Sequence, residues 1–276
     1  MTLNEENIKL LSYKDLPEDL LGKLNYLELC FEDDDSEDDD SEEDTLPFDF
    51  LHKVHNLEHL VVRRLGIKEI FQEHQVKERI PTTLKILTLA NLEKLKSLGL
   101  EHLPYSEKLE ILNLKRCPRL QNLVPNSVSF ISLKQLCVKL CKKMKYLFKF
   151  STAKSLVQLE SLIVMNCKSL KEIAKKEDND DEIIFGQLTT LRLDSLPKLE
   201  GFYFGKATLQ FSCLKEVKIA ECPKMDKFSI GVAKAPMILH VNFQNNPSLI
   251  NDDDLNNIID RLFHKEVRNL LPKFKT

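Results

Sequence analysis

The chain contains no tryptophan, no C-x-x-C pair and no apolar run long enough to cross a bilayer. Each absence removes a class of function. Seven cysteines are present (Cys30, Cys117, Cys137, Cys141, Cys167, Cys213 and Cys222). Without paired spacing they offer no structural zinc site. An odd number without framework spacing also argues against a disulfide scaffold. N-glycosylation sequons are missing: the near miss Asn246-Pro247-Ser248 is blocked by its proline. The first residues, MTLNEENIKLLSYKD, are polar and show no signal-peptide core. The expectation is a reducing compartment, the cytoplasm or the nucleus, with no membrane span.

Catalytic signatures are missing as well. Nothing matches Gly-x-Ser-x-Gly or a Cys/His nucleophile arrangement. The segment Gly201-Phe-Tyr-Phe-Gly205-Lys206-Ala207 has three residues between its glycines where a phosphate loop needs four, and Ala207 where Ser or Thr would hold Mg²⁺. His52, His55 and His59 cluster in sequence, but His59 falls on an outward strand position and the other two precede it, so they do not share a coordination face. The chain is therefore expected to have no catalytic residue, no metal and no cofactor, and not to be an enzyme.

Charge is unevenly spread. Residues Glu32 to Asp44 hold eleven acids and no base, so the formal net charge of −3 hides a remainder of about +8. That excess is too small to argue for nucleic acid. The run lacks the glycine and spacing of a calcium loop and reads as a solvated insert. Ser36 and Ser41, embedded in acids, would suit an acid-directed kinase.

What the sequence does have is a repeat. The pattern L-x-x-L-x-L-x-x-(C/N/L)-x-x-L fits nine times, starting at Leu24, Leu57, Leu84, Leu109, Leu133, Leu159, Leu188, Leu214 and Ile238. Successive starts lie 33, 27, 25, 24, 26, 29, 26 and 24 residues apart, within or near the range of leucine-rich repeats. In each L-x-L step alternate side chains point to opposite faces, so the leucines go inward and the x residues outward. One such strand cannot bury its inner face alone; stacked neighbours share a core. Cys or Asn at the ninth position suits a tight inner bend. Pro118, Pro197, Pro223 and Pro247 follow directly, where proline is expected to end strand pairing. Leu123, Leu147, Ile173, Phe202 and Phe228 are expected to close the back of the coil.

The expected fold is thus an α/β leucine-rich-repeat solenoid, with a curved parallel β-sheet on its concave face and irregular or short helical segments behind. Residues 24–250 carry about nine repeats, interrupted by the acidic loop 32–44 and a charged loop 175–182. Residues 251–276 form a C-terminal capping helix, with Asn251 to Asp254 as its cap and Leu255, Ile258, Ile259, Leu262 and Phe263 at helical spacing. Residues 1–23 make only a partial cap or partial repeat. That leads to the expectation of a longer solenoid truncated upstream, or of a fragment-like gene product.

Outward strand positions supply the candidate binding face. Ile86, Ile111, Cys137, Ile163 and Met165 form an apolar stretch at its middle, flanked by Lys115 and Lys139. Asn113, Arg192, Asp194 and Lys218 complete the candidate surface. An outward apolar patch beside charges marks an interaction site, although β-branched residues are also tolerated on both faces of a parallel sheet.

Units such as LEILNLKRCPRL, LESLIVMNCKSL, LTTLRLDSLPKLEGF and LKEVKIAECPKM resemble the C-terminal repeats of plant nucleotide-binding leucine-rich-repeat disease-resistance proteins of the coiled-coil class. The resemblance covers essentially the whole chain, and the C-P-x-L ending is its most specific element. It implies an intracellular immune receptor whose repeats recognise a pathogen effector or host protein and restrain a nucleotide-binding domain, in cis or in trans. The chain has no coiled coil, phosphate loop or nucleotide-binding domain, so ATP binding is not implied. The alternative is a stand-alone repeat scaffold, adaptor or inhibitor without an immune role.

Overall fold

A computed structural model describes residues 2–4, 21–30, 54–71, 83–103, 106–124, 128–177, 182–244, 246–249 and 252–270. The acidic run 32–44 with Ser36 and Ser41, His52, most of 1–23 and the centre of the charged loop (178–181) lie outside the described residues.

Every repeat contributes one short strand. Tyr26–Cys30, His59–Arg63, Ile86–Ala90, Ile111–Lys115, Gln135–Lys139, Ser161–Met165, Thr190–Asp194, Glu216–Ala220 and His240–Phe243 follow one another in the sheet. Each pairs in parallel with the next, and no register slips. Strict register follows from the inner face. A one-residue slip would turn every leucine outward. Leu27, Leu60, Leu87, Leu112, Leu136, Leu162, Leu191, Val217 and Val241 form one inward column. Leu29, Val62, Leu89, Leu114, Val138, Val164, Leu193, Ile219 and Phe243 form the second, and no member of either column exceeds 2% exposure. Each such side chain contributes about 1.5–3 kcal/mol of burial before ordering entropy is subtracted.

The bend after each strand is more specific than its composition suggests. Arg64, Asn91, Arg116, Leu140, Asn166, Ser195, Glu221 and Gln244 all take left-handed backbone, with φ between 49° and 60°. Glycine, the residue best suited to this region, occupies none of these positions. A backbone ladder holds six of them: the N–H of Arg64, Asn91, Arg116, Leu140, Asn166 and Ser195 donates to the last strand carbonyl of the following repeat, at 2.9–3.1 Å. The next residue turns inward. The thiols of Cys117, Cys141, Cys167 and Cys222 are fully buried, each donating to the carbonyl two residues earlier, at 3.9, 3.5, 3.5 and 3.2 Å. These thiols form an inner ladder at the bend where Cys was expected.

The back of the coil holds more regular structure than the periodicity reveals. Phe148–Lys149, Glu172–Lys175 and Gly201–Tyr203 make one small parallel sheet. Ile183–Ile184, Leu209–Gln210 and Ala233–Lys234 make another. A short helix, Phe150–Lys154, and 3₁₀ turns at Leu100–His102 and Ser106–Lys108 complete it. Phe202 and Phe228 stack at 5.0 Å, Phe185 and Phe211 at 5.1 Å, and the two pairs meet edge-to-face. Such contacts add about 0.5–1.5 kcal/mol each beyond burial. Leu123, Leu147 and Ile173 continue this wall, all at most 1% exposed.

The two ends differ. At the front, Thr2–Asn4 adds a parallel strand to Tyr26–Cys30. At the far end Asn246–Leu249 folds back antiparallel on His240–Phe243, with Pro247 opposite Asn242. This corrects the expectation that Pro247 ends strand pairing. Proline lacks an N–H but keeps its carbonyl, and it is tolerated on a sheet's edge strand. The helix Leu255–Leu270 then packs Leu255, Ile258 and Ile259 into the core, with Leu262 and Phe263 against it. The Asp254 carboxylate accepts the N–H of Asn256 at 2.8 Å, a helix N-cap. Asn256 in turn accepts from the Ser229 N–H and donates to the Gly231 carbonyl, both at 2.7 Å, tying the helix to the repeats.

Candidate protein-binding face

Because the register never slips, outward residues also form straight columns. Ile86 lies beside Ile111. In the next column Asn113, Cys137, Ile163, Arg192 and Lys218 are consecutive neighbours. In the third, Lys115, Lys139, Met165 and Asp194 follow one another. All eleven residues expected to form the binding surface therefore lie on one face of six adjacent strands. At about 4.8 Å per strand they span roughly 24 Å.

Their exposure grades the surface. Lys115 is exposed; the other ten are half-buried. The apolar members are partly covered by their column neighbours, and the more exposed large apolar side chains, such as Ile230 at 60% and Leu239 at 57%, lie outside these columns. The face offers a shallow apolar strip, not a cleft.

Two groups of charges on the face are organised through ion pairs. Arg192 donates to Asp194 at 2.7 Å, and the Ser195 hydroxyl donates to the same carboxylate at 3.0 Å. Burial alone would raise the Asp194 carboxyl, but the Arg192 and Ser195 bonds, with Arg192 and Lys218 charge nearby, outweigh it and hold it below its ordinary value. At the front of the sheet Tyr26 donates to Glu28 at 2.8 Å, Arg63 lies 2.7 Å from the same carboxylate, and the Tyr26 and His59 rings meet edge-to-face at 4.8 Å. The bond to Glu28, then burial, raises the Tyr26 phenol. Burial lowers His59 against the pull of Glu28. Sequence reasoning did not single out this polar cluster, whose members come from two repeats 33 residues apart.

The other sequence candidates resolve simply. Gly201–Tyr203 is strand, with Phe202 and Tyr203 fully buried. His55 is exposed and His59 packs on Tyr26. Among the described residues, ligating side chains converge at Glu69, Glu101 and His102, whose ligand atoms lie within 4.8 Å of one another. No single-sequence motif marks that group, because it joins neighbouring repeats. Among the described residues no helix is long and apolar enough to cross a membrane.

No curated protein matches the chain. Residues 126–240 match the family model described as plant disease resistance protein RPS2-like, leucine-rich repeats. With nine strands in one register, that match supports a leucine-rich-repeat region of the plant nucleotide-binding disease-resistance class.

Proposed function

We propose that this chain is the protein-recognition module of a plant intracellular immune receptor, working by binding and not by catalysis. Its concave face takes a pathogen-derived or host protein, in the cytoplasm or nucleus. The same array restrains a nucleotide-binding domain, in cis or in trans, until a ligand engages. The observation that carries the reading is the apolar group Ile111, Cys137, Ile163 and Met165, set on three adjacent strands beside Lys115 and Lys139. An apolar strip beside charges on a rigid sheet supplies contact area with little ordering cost.

The test is the triple variant Ile111→Glu, Ile163→Glu, Met165→Glu. These side chains point out of the core, so the melting transition is expected to persist. Co-purification of partner proteins from plant tissue expressing the tagged chain is expected to be lost. An unchanged set of partners with the triple variant would overturn the proposal.

A further inference from the structure

We infer that the flank of the solenoid, away from the concave face, carries a binding site for a small polyphosphate anion. A cavity of about 420 Å³ opens there between three consecutive repeats, a size that suits a small ligand. Lys96 and Ser97 come from one repeat, Arg119, Gln121 and Asn122 from the next, and Lys143 from the third. Three cations and several neutral hydrogen-bonding groups line it, and no carboxylate does.

Backbone bonds between turns set this convergence. The Lys96 N–H donates to the Lys68 carbonyl at 2.7 Å, Lys143 to Pro118 at 3.2 Å, and Lys145 to Gln121 at 2.9 Å. Side chains at matching positions are thereby stacked on one flank. Lys142, Lys145, Lys168 and Lys171 lie in the turns after the strands of the fifth and sixth repeats, adding positive potential along the same edge. The Ser97 hydroxyl oxygen accepts the Gly99 N–H at 3.1 Å, which leaves its own hydrogen to donate. Among the described residues neither Lys96 nor Lys143 has an acidic partner within ion-pairing distance. Arg119 adds a planar guanidinium, the fork that phosphate oxygens fit best. Two or more linked phosphates match three cations contributed by three successive repeats better than a single carboxylate does.

Inorganic tripolyphosphate is the probe for a soluble ligand. Titration calorimetry at about 0.15 M salt, where diffuse attraction is screened, is expected to show saturable one-site binding. The double variant Lys96→Ala, Lys143→Ala is expected to weaken it by about tenfold or more, roughly 1.4 kcal/mol. Lys198→Ala with Lys224→Ala, on the same flank outside the cavity, is expected to leave it unchanged. Vesicles of phosphatidylcholine, with and without a few per cent phosphatidylinositol bisphosphate, test whether the same phosphates come from a lipid headgroup. Capture by the doped vesicles alone, lost in the first double variant and kept in the second, supports the site with a headgroup as its source. Binding of tripolyphosphate alone, with the same variant pattern, supports it with a free anion. Absence of saturable binding in both arms, or equal weakening by the two double variants, would overturn it.

Discussion

The guanidinium of Arg192 and the carboxylate of Asp194 are locked together at 2.7 Å on the concave face, two residues apart on one strand. The carboxylate is 13% exposed at its side chain, against 38% for the arginine. Asp194 is thus an organised acceptor whose folded-state acidity is strengthened. A carboxyl with a depressed folded value contributes stability that is present above its unfolded value and is lost as pH falls through the folded one. Asp194→Asn is accordingly expected to lower stability by about 1 kcal/mol at pH 7, a fall in Tm of about 2 °C. The gap between variant and wild type is expected to close as the medium is acidified below the ordinary carboxylate range. Thermal melts followed by circular dichroism from pH 7 to pH 3 measure it; a gap that stays constant would show that the carboxylate charge is not the source.

Leu112 tests the register itself. It sits at 0% exposure between Leu87 and Leu136 in the inward column. Leu112→Asp buries an unpaired carboxylate in the middle of the stack and is expected to cost more than about 4 kcal/mol. Leu112→Ala, which only leaves a cavity, is expected to cost about 2–5 kcal/mol. Urea titrations of both variants check the order. An unperturbed transition for Leu112→Asp would mean that this position faces water.

The columns were legible in the sequence because a period of two within strands and a period near 26 between them leave one choice of inward set. Leu112 and Ile111 could be assigned to opposite faces without coordinates. The left-handed bends were not legible as a set, because Arg116 and Leu140 carry no turn signal; the carbonyls of the following repeat hold their conformation. The same locality limit hid the fold-back at Pro247, which depends on a free sheet edge beside His240–Phe243. It also hid the flank cavity, since Lys96, Arg119 and Lys143 are ordinary surface cations until the turns are stacked.

Leu140 offers a stabilising change at one of those bends. Its φ is 60°, its side chain is 37% exposed, and its N–H is already tied to the Met165 carbonyl at 3.0 Å. A branched apolar residue in left-handed backbone costs about 1–2 kcal/mol relative to one that tolerates it. Asn91 and Asn166 occupy the equivalent bend in two other repeats. Leu140→Asn is therefore expected to raise stability by about 1 kcal/mol, read as a higher urea midpoint at unchanged slope. A lower midpoint would mean that the leucine's surface contacts outweigh its backbone strain.

The thiols give a residue-by-residue readout of the inner ladder. Burial pushes the Cys222 thiol up to about 12. All four ladder sulfurs lie at residues with 0% exposure, where an alkylating reagent cannot reach the thiolate form it attacks. Cys30, Cys137 and Cys213 are half-buried. Brief iodoacetamide treatment of the native protein, read by peptide mass spectrometry, is expected to modify those three and spare the four in the ladder. Cys137, raised by burial against the pull of Lys139, is expected to react slowest of the three. In urea above the unfolding midpoint all seven are expected to react. Labelling of Cys141 or Cys167 at the native rate of Cys213 would mean that the ladder opens without global unfolding, contrary to its place in a continuous core.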